Sequence, residues 1–254
     1  KIGDTSGVNS IFIQDMKWLP NGHLSMMGNF NGMMDFDPGP NVFVLNSGSG
    51  YTRHGFITEW DAAGNFIEAK QLKGDWCSVN SMYTDSNNMH YVTYYYDDTL
   101  NLSLNTSINQ KIATGEYGNQ GLAKFDANYN LLWNKDLDTN LYVHSLLPNN
   151  TTSFYLMSNY YGPTMLNNGL NTTSVGYSDI AVDKWDQNGN VQWTKTVAGK
   201  GGNEGLDLKM FDNHLYLLYN NDDSTQFSTG LPLAIHSDNT NMAISVFDNT
   251  MQHI

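Results

Sequence analysis

Asp186, Asn188 and Asn190 stand at alternate positions in the segment DQNGN, which is the spacing that opens a calcium-binding loop. The same residue types are typical of a tight turn between two strands, because the aspartate accepts backbone N–H bonds and the glycine adopts a positive φ. Calcium takes about six to eight oxygen ligands, and the equivalent segment after Trp60 has Ala63 in place of Asn188. The missing ligands favour a structural turn, with calcium binding as the alternative.

A second acidic pair, Asp35 and Asp37, lies in the segment DFDPG. These two carboxylates are the candidate calcium ligands of the chain, and the alternative is that they are solvated loop residues. We expect no other cofactor.

Tyrosine pairs follow two of the predicted strands. Tyr95 and Tyr96 precede two aspartates, and Tyr160 and Tyr161 precede a Gly-Pro pair. Tyrosine beside Asn and Asp can stack on a sugar ring and hydrogen-bond its hydroxyls, so these four residues are candidate ligand-binding residues. The alternative is that they pack between sheets, as strand-forming aromatic residues commonly do.

Motifs for catalysis are missing from the sequence. The seven histidines lack metal-type spacing, and there is neither a Gly-x-Ser-x-Gly elbow nor a phosphate-binding loop. A glycoside hydrolase would need two carboxylates within about 5 to 10 Å of each other, which spacing along the chain cannot establish. The sequence therefore predicts a protein that is not an enzyme, with a carbohydrate-active hydrolase as an alternative.

The charge balance excludes some partners. The net charge is −13 and the chain has a single arginine, Arg53, which disfavours nucleic acids and anionic membrane surfaces. No apolar run approaches the roughly 20 residues that span a bilayer. The only cysteine, Cys77, permits no internal disulfide and is expected to be a small buried residue.

An aromatic-Asp pair recurs through the chain and reveals a repeat. The aspartates of these pairs are Asp61, Asp126, Asp186 and Asp248, and successive ones are 65, 60 and 62 residues apart. Each period contains four short segments with strand-like alternation, separated by turn residues, and the chain contains 33 asparagines. This pattern predicts an all-β protein, a β-propeller of four repeats that each form a four-stranded antiparallel blade.

The predicted blades cover residues 4–74, 75–138, 139–198 and 199–254 of a single propeller domain. GDTSGVNS, starting at Gly3, aligns with GDWCSVNS, starting at Gly74. The chain therefore begins and ends in phase with the repeat. We expect a segment of a larger propeller, or alternatively a closed four-bladed ring.

Blade one carries the residues of a family resemblance. It contains DFDPG at residues 35–39 and WDAAGN at residues 60–65, followed by Ala69 and Lys70, although Glu68 replaces an expected tryptophan. These motifs resemble the seven-bladed β-propeller repeats of secreted proteins from Bacteroidota-type bacteria. The other three repeats keep the aromatic-Asp turn and lack DFDPG.

The resemblance implies an exported bacterial protein, secreted or displayed at the cell surface, that belongs to a type 9 secretion pathway. It also implies O-glycosylation at Asp-Ser/Thr motifs, which nominates Thr99 and Ser224. We expect a non-catalytic scaffold or binding module in an adhesin, surface fibre or secretion-associated assembly, with other surface or secreted proteins as partners. The alternative to that role is a lectin-like module that binds glycans.

Overall fold

The computed structural model is all-β and antiparallel, which confirms that part of the prediction. The structure describes residues 2–3, 9–48, 50, 52–105, 110–113, 118–150, 152–222, 225–227, 232–233, 241–248 and 252. Within these ranges there is no helix, and hence none that could span a membrane. The chain forms two compact units, unit 1 (residues 1–136) and unit 2 (residues 137–254).

In each repeat, two long strands of six to ten residues are followed by two short strands of two or three residues and then by one or two further long strands. The strands of unit 1 are β1 (Ile11–Trp18), β2 (Leu24–Asn31), β3 (Met33–Asp35), β4 (Val44–Asn46), β5 (Arg53–Trp60), β6 (Phe66–Gly74), β7 (Ser78–Thr84), β8 (His90–Tyr96), β9 (Thr99–Asn101), β10 (Gln110–Ile112), β11 (Asn119–Phe125) and β12 (Leu131–Asp136). Those of unit 2 are β13 (Leu141–Asn150), β14 (Ser153–Tyr160), β15 (Pro163–Met165), β16 (Asn171–Thr173), β17 (Asp179–Asp186), β18 (Val191–Ala198), β19 (Asn203–Phe211), β20 (His214–Asn221), β21 (Thr225–Phe227), β22 (Pro232–Leu233) and β23 (Asn241–Phe247).

The long strands form four sheets, each drawn from one sequence repeat. Sheet 1 has the order β1-β2-β5-β6, sheet 2 β7-β8-β11-β12, sheet 3 β13-β14-β17-β18 and sheet 4 β19-β20-β23. All of these pairings are antiparallel.

The short strands form one inserted hairpin in each repeat, between its second and third long strands. We name them hairpin 1 (β3, β4), hairpin 2 (β9, β10), hairpin 3 (β15, β16) and hairpin 4 (β21, β22). Hairpin 2 pairs with the end of β6, the last strand of the preceding sheet, through Lys73 and Gly74. Hairpin 4 pairs in the same way with the end of β18, through Val197 and Ala198. An inserted hairpin thus joins its own repeat to the sheet before it in both places.

A β-bulge recurs in the first strand of every sheet. The pairing register shifts around one extra residue, and these four residues are Gln14, Asn80, His144 and Leu206. Because side chains alternate between sheet faces, the extra residue changes which side chains before and after it share a face.

The repeated aspartate forms a hairpin turn, as its spacing predicts. Asp186 Oδ1 accepts N–H bonds from Asn188 (2.8 Å) and Asn190 (2.9 Å), and Asp186 Oδ2 accepts one from the side chain of Asn190 (3.0 Å). Asp61 and Asp126 make the same three kinds of bond. These hydrogen bonds, above all those from the asparagine four residues later, lower the pKa of Asp61 and Asp126.

Each unit has a core between two sheets. In unit 1, Met27, Ile57 and Leu72 of sheet 1 pack with Val79 and Tyr94 of sheet 2. Full burial of an aliphatic or aromatic side chain stabilises the fold by about 1.5–3 kcal/mol, so such a layer holds the two sheets together.

Cys77 belongs to the core of unit 1, as the sequence predicts. It is buried, and its Sγ donates to the carbonyl oxygen of Leu72 at 3.1 Å. Burial raises the pKa of this thiol to about 12.

Unit 2 has an equivalent core. Tyr155, Met157 and Val182 of sheet 3 pack there with Leu208 and Leu217 of sheet 4.

Candidate binding sites at the inserted hairpins

The two candidate calcium ligands have their carboxylates directed to their own loop. Asp35 Oδ1 accepts N–H bonds from Asp37 (3.1 Å) and Phe43 (2.9 Å). Asp37 Oδ1 accepts one from Gly39 at 2.7 Å. Among the described residues, no group of three His, Cys, Asp or Glu side chains is placed to hold a metal ion. The two aspartates therefore organise the loop that connects β3 to β4 within hairpin 1.

In unit 1, a cleft of about 390 Å³, here called cleft A, opens between the end of β6 and hairpin 2. A Cβ at Gly74 would overlap the carbonyl oxygen of Thr99, so glycine permits this close approach of the two backbones. Asp75 N donates to the same carbonyl at 2.9 Å. The cleft is lined by His54, Lys73, Gly74, Asp75, Thr99, Leu100, Asn101 and Gln110.

His54 is the titratable group of cleft A that the fold perturbs. Its Nδ1 lies 2.5 Å from the side-chain nitrogen of Gln71. Burial lowers the pKa of His54, the negative charge of Asp75 opposes that shift, and Lys73 reinforces it. The ring is therefore neutral at pH 7, and cleft A combines a neutral imidazole with one positive and one negative charge.

Arg53 precedes His54 and lies between two partly exposed aromatic rings. Its guanidinium carbon is 4.5 Å from the ring centroid of Phe12 and 4.8 Å from that of Trp76. Trp76 has a positive φ of 49°, a strained conformation for a bulky residue. The only arginine of the chain is therefore held in a cation–π stack next to cleft A.

In unit 2, a cleft of about 420 Å³, here called cleft B, occupies the equivalent place beside hairpin 3. Asp138 accepts N–H bonds from Asn140 (2.9 Å) and Met165 (3.1 Å), which fixes the hairpin against the chain that enters sheet 3. Three threonine hydroxyls and one carboxylate dominate this cleft. It is lined by Asp138, Pro163, Thr164, Met165, Asn171, Thr172 and Thr173.

A buried carboxylate anchors the tip of hairpin 3. Asp183 of β17 accepts a hydrogen bond from the side chain of Asn167 at 2.7 Å and another from the hydroxyl of Thr194. Burial raises the pKa of Asp183 to about 6, while the two hydrogen bonds act in the opposite direction.

The four predicted ligand-binding tyrosines fall into two environments. Tyr96 and Tyr160 are buried, so their rings present no face to solvent. Tyr95 and Tyr161 are partly exposed. The Tyr95 hydroxyl donates to Asp97. The two partly exposed residues stand at the ends of second strands, Tyr95 next to last in β8 and Tyr161 directly after β14, whereas the strand residues before them are buried on both faces.

Tyr161 belongs to an aromatic cluster that sequence reasoning did not identify. Its ring contacts that of Tyr177 edge to face, with centroids 5.8 Å apart. Tyr177 is 81% exposed and Tyr142, at the start of β13, is 47% exposed. Burial, then the charge of Glu204 and the neighbouring phenols of Tyr177 and Tyr142, raise the pKa of Tyr161.

One feature of the sequence could have identified Tyr177 as a candidate binding residue. It is a large aromatic residue in the loop segment SVGYS, between turn-forming residues. Tyr142 carried no such signal, because it stands in an ordinary alternating strand.

Of the two candidate O-glycosylation residues, Thr99 lies in the part of the chain that the structure describes. Thr99 is partly exposed on β9 and lines cleft A. Ser224 lies outside the described residues.

No protein-family model matches the chain, and no curated protein matches it significantly.

Proposed function

We propose that this chain forms four blades of a β-propeller and serves as a non-catalytic binding scaffold, exported by a bacterium and displayed at its surface or secreted. The observation that carries the proposal is the pairing of hairpins 2 and 4 with the last strand of the preceding sheet. These pairings join sheet 1 to sheet 2 and sheet 3 to sheet 4, which suits sheets arranged in succession around an axis.

The packing within each unit supports the same architecture. Sheet 1 packs on sheet 2, and sheet 3 packs on sheet 4, so sheets that follow one another in sequence share a core. Neighbouring blades of a propeller share their cores in this way.

The inserted hairpins support a binding role. They hold the same position in each repeat, while the side chains that line clefts A and B differ: cleft A has a histidine, a lysine and an aspartate, and cleft B has an aspartate and three threonines. Binding residues are commonly carried by loops on a rigid scaffold, and these hairpins fit that arrangement. The partners we propose are other surface or secreted proteins, or glycans.

Export rests on the family resemblance of DFDPG and the aromatic-Asp turns. Partial exposure of Thr99 is compatible with its proposed O-glycosylation.

A crystal structure of the chain tests the architecture. We expect the first strands of the sheets to face a common axis. Two flat sheet layers packed face to face would contradict the propeller.

Antibody labelling of intact cells of the native source tests export. We expect labelling without permeabilisation, together with hexose-sized mass additions on the peptide containing Thr99. A product confined to the cytoplasm would contradict the proposal. Release of reducing sugar from any polysaccharide by the purified protein would contradict a non-catalytic role.

A further inference from the structure

Three tyrosines of unit 2, here called the tyrosine cluster (Tyr142, Tyr161 and Tyr177), offer aromatic surface to solvent at one end of sheet 3. Soluble proteins often expose single aromatic rings, but exposed rings that lie together mark a candidate binding site: the rings of Tyr161 and Tyr177 are in contact, and the phenol of Tyr142 lies near that of Tyr161. A carboxylate accompanies the cluster: the charge of Glu204 acts on Tyr161, Glu204 is exposed, and its Oε2 accepts a hydrogen bond of 3.4 Å from the side-chain amide of Asn220.

The buried carboxylate of Asp179 fixes the loop that carries Tyr177. Val175 N donates to Asp179 Oδ2 at 2.7 Å. Gly199 N and the side-chain amide of Asn203 donate to Asp179 Oδ1 at 2.9 and 3.0 Å. Asp179 and Asn203 are both completely buried.

Close backbone packing holds the same loop from the side. A Cβ at Gly176 would overlap the carbonyl oxygen of Gly201, so only glycine permits this approach. Ser178 and Asn203 exchange two further bonds, from Asn203 N to Ser178 O (2.8 Å) and from Ser178 Oγ to Asn203 O (3.1 Å). Tyr177 is thus a highly exposed ring on a tightly bonded backbone.

The other two rings are held by the same network. Tyr161 N donates to Asn140 O at 3.1 Å, two residues before Tyr142. Asn159 bridges β14 to β19: it donates to Asn203 O (2.7 Å) and accepts from Gly205 N (2.9 Å). Because these hydrogen bonds fix the backbone on both sides of the cluster, binding would require little further ordering of it.

We propose that the tyrosine cluster binds an uncharged carbohydrate. Tyrosine provides a rigid, amphipathic ring that covers the C–H face of a sugar, while its hydroxyl remains available for hydrogen bonding. Glu204 and Asn220 supply an acceptor and a donor for sugar hydroxyls. The net charge of −13 disfavours anionic polymers, which leaves neutral glycans as the ligand class.

Cleft B follows the cluster along the chain. Its lining includes Pro163, two residues after Tyr161, together with Asp138, three threonines and Asn171. A volume of about 420 Å³ lies within the range of small-molecule sites and has room for a neighbouring sugar unit. The cluster and the cleft together fit an oligosaccharide chain better than a single sugar.

Carbohydrate binding by the tyrosine cluster rests on the proposed function and makes its ligand class specific. Affinity electrophoresis of the purified chain tests this binding. The gels contain galactomannan, laminarin or dextran as neutral polymers, and polygalacturonate as the anionic comparison. We expect retardation in at least one neutral polymer. Tyr177→Ala and Tyr161→Ala each remove one ring that would stack on the sugar, and each is expected to weaken binding about ten-fold.

Val175→Ala is the matched control, because Val175 is 64% exposed in the same loop and carries no ring. It is expected to bind like the parent. Gly176→Ala keeps every tyrosine but displaces the loop, and it is expected to lose affinity as well. Far-UV circular dichroism and urea midpoints verify that each variant is folded.

Three results would overturn the inference: no retardation in any neutral polymer, retardation in polygalacturonate alone, or equal retardation of the parent and the Tyr161→Ala/Tyr177→Ala double variant. Each would leave surface display intact, since the labelling of intact cells measures that separately.

Discussion

Sheets 1 and 3 place different chemistry at equivalent positions. Phe12 and Tyr142 both stand two residues before the bulge residue of a first strand, and they are 44% and 47% exposed. The Phe12 ring stacks on the cation of Arg53, whereas the Tyr142 ring contacts that of His144 and lies near the phenol of Tyr161.

The third strands differ in the same way. His54 pairs with Phe30 in sheet 1, and Asp179 pairs with the equivalent Tyr160 in sheet 3. The backbone ladder needs only N–H and C=O groups, so it holds the same geometry whatever side chains it carries. The repeat thus determines where a side chain emerges, and the residue at that place determines the chemistry that is presented there.

The largest expected effect is at Asp179. Asp179→Ala removes the acceptor of three hydrogen bonds, two of them buried, so we expect the free energy of unfolding to fall by roughly 3–5 kcal/mol. His54→Ala, at the equivalent position, removes a contact with Gln71. We expect this variant to lower the free energy of unfolding by about 1 kcal/mol. Urea unfolding measures both. Equal losses would show that the two positions are supported alike.

The next effect is the pH dependence that Asp183 imparts to unit 2. The equivalent residue in sheet 1 is Thr58, which is buried and donates to Glu68 O at 3.0 Å without titrating. Because the pKa of Asp183 is raised from 3.8 to about 6 on folding, the folded state binds the proton more tightly than the unfolded state. Asp183 therefore contributes fully to stability below pH 4. As the pH rises through 6 this contribution is lost, and the free energy of unfolding falls by on the order of 2 kcal/mol.

The comparison of the parent with Asp183→Asn isolates this contribution, because other carboxylates titrate in both proteins. We expect the stability of the parent relative to the variant to fall between pH 4 and pH 7 in urea unfolding. Parallel pH profiles would contradict a titrating Asp183.

A smaller effect is expected at Arg53. Arg53→Ala removes the cation from two rings, for an expected loss of about 1 kcal/mol in the free energy of unfolding. Lys73→Ala, an exposed cation in the same cleft, is the control and is expected to change little. If the two variants lost the same stability, net charge rather than stacking would explain the effect.

The smallest expected effect is the difference between two turns. Asp61→Ala and Asp186→Ala each remove the same three hydrogen bonds from the same turn, one in each unit. We expect equal shifts in the urea midpoint, because this turn is the part of the repeat that the two units share. Unequal shifts would mean that the surrounding sheets contribute to the turn.

Much of the fold could be predicted from local patterns. The period of the aromatic-Asp pairs and the alternation between them indicate antiparallel strands in sets, because turn geometry and side-chain alternation depend on residues close in sequence. The role of Asp186 as a turn residue followed from the same local chemistry.

The candidate site could not be predicted to the same extent. Tyr96 and Tyr160 are buried while Tyr95 and Tyr161 are partly exposed, and this difference depends on which packed segments cover the ends of β8 and β14, contacts that are not local in sequence. The pairing of Gly74 with Leu100 on hairpin 2 is long-range and has no sequence motif of its own.

The sequence by itself determined the strand segments, the turn aspartates and the buried character of Cys77, since these follow from residue type and local spacing. Only the tertiary structure decided which tyrosines face solvent, and that Tyr142, Tyr161 and Tyr177 lie near one another. The physical reason is that exposure and proximity depend on contacts between strands far apart in the chain, such as those that Asp179, Asn203 and Asn159 make beneath the cluster.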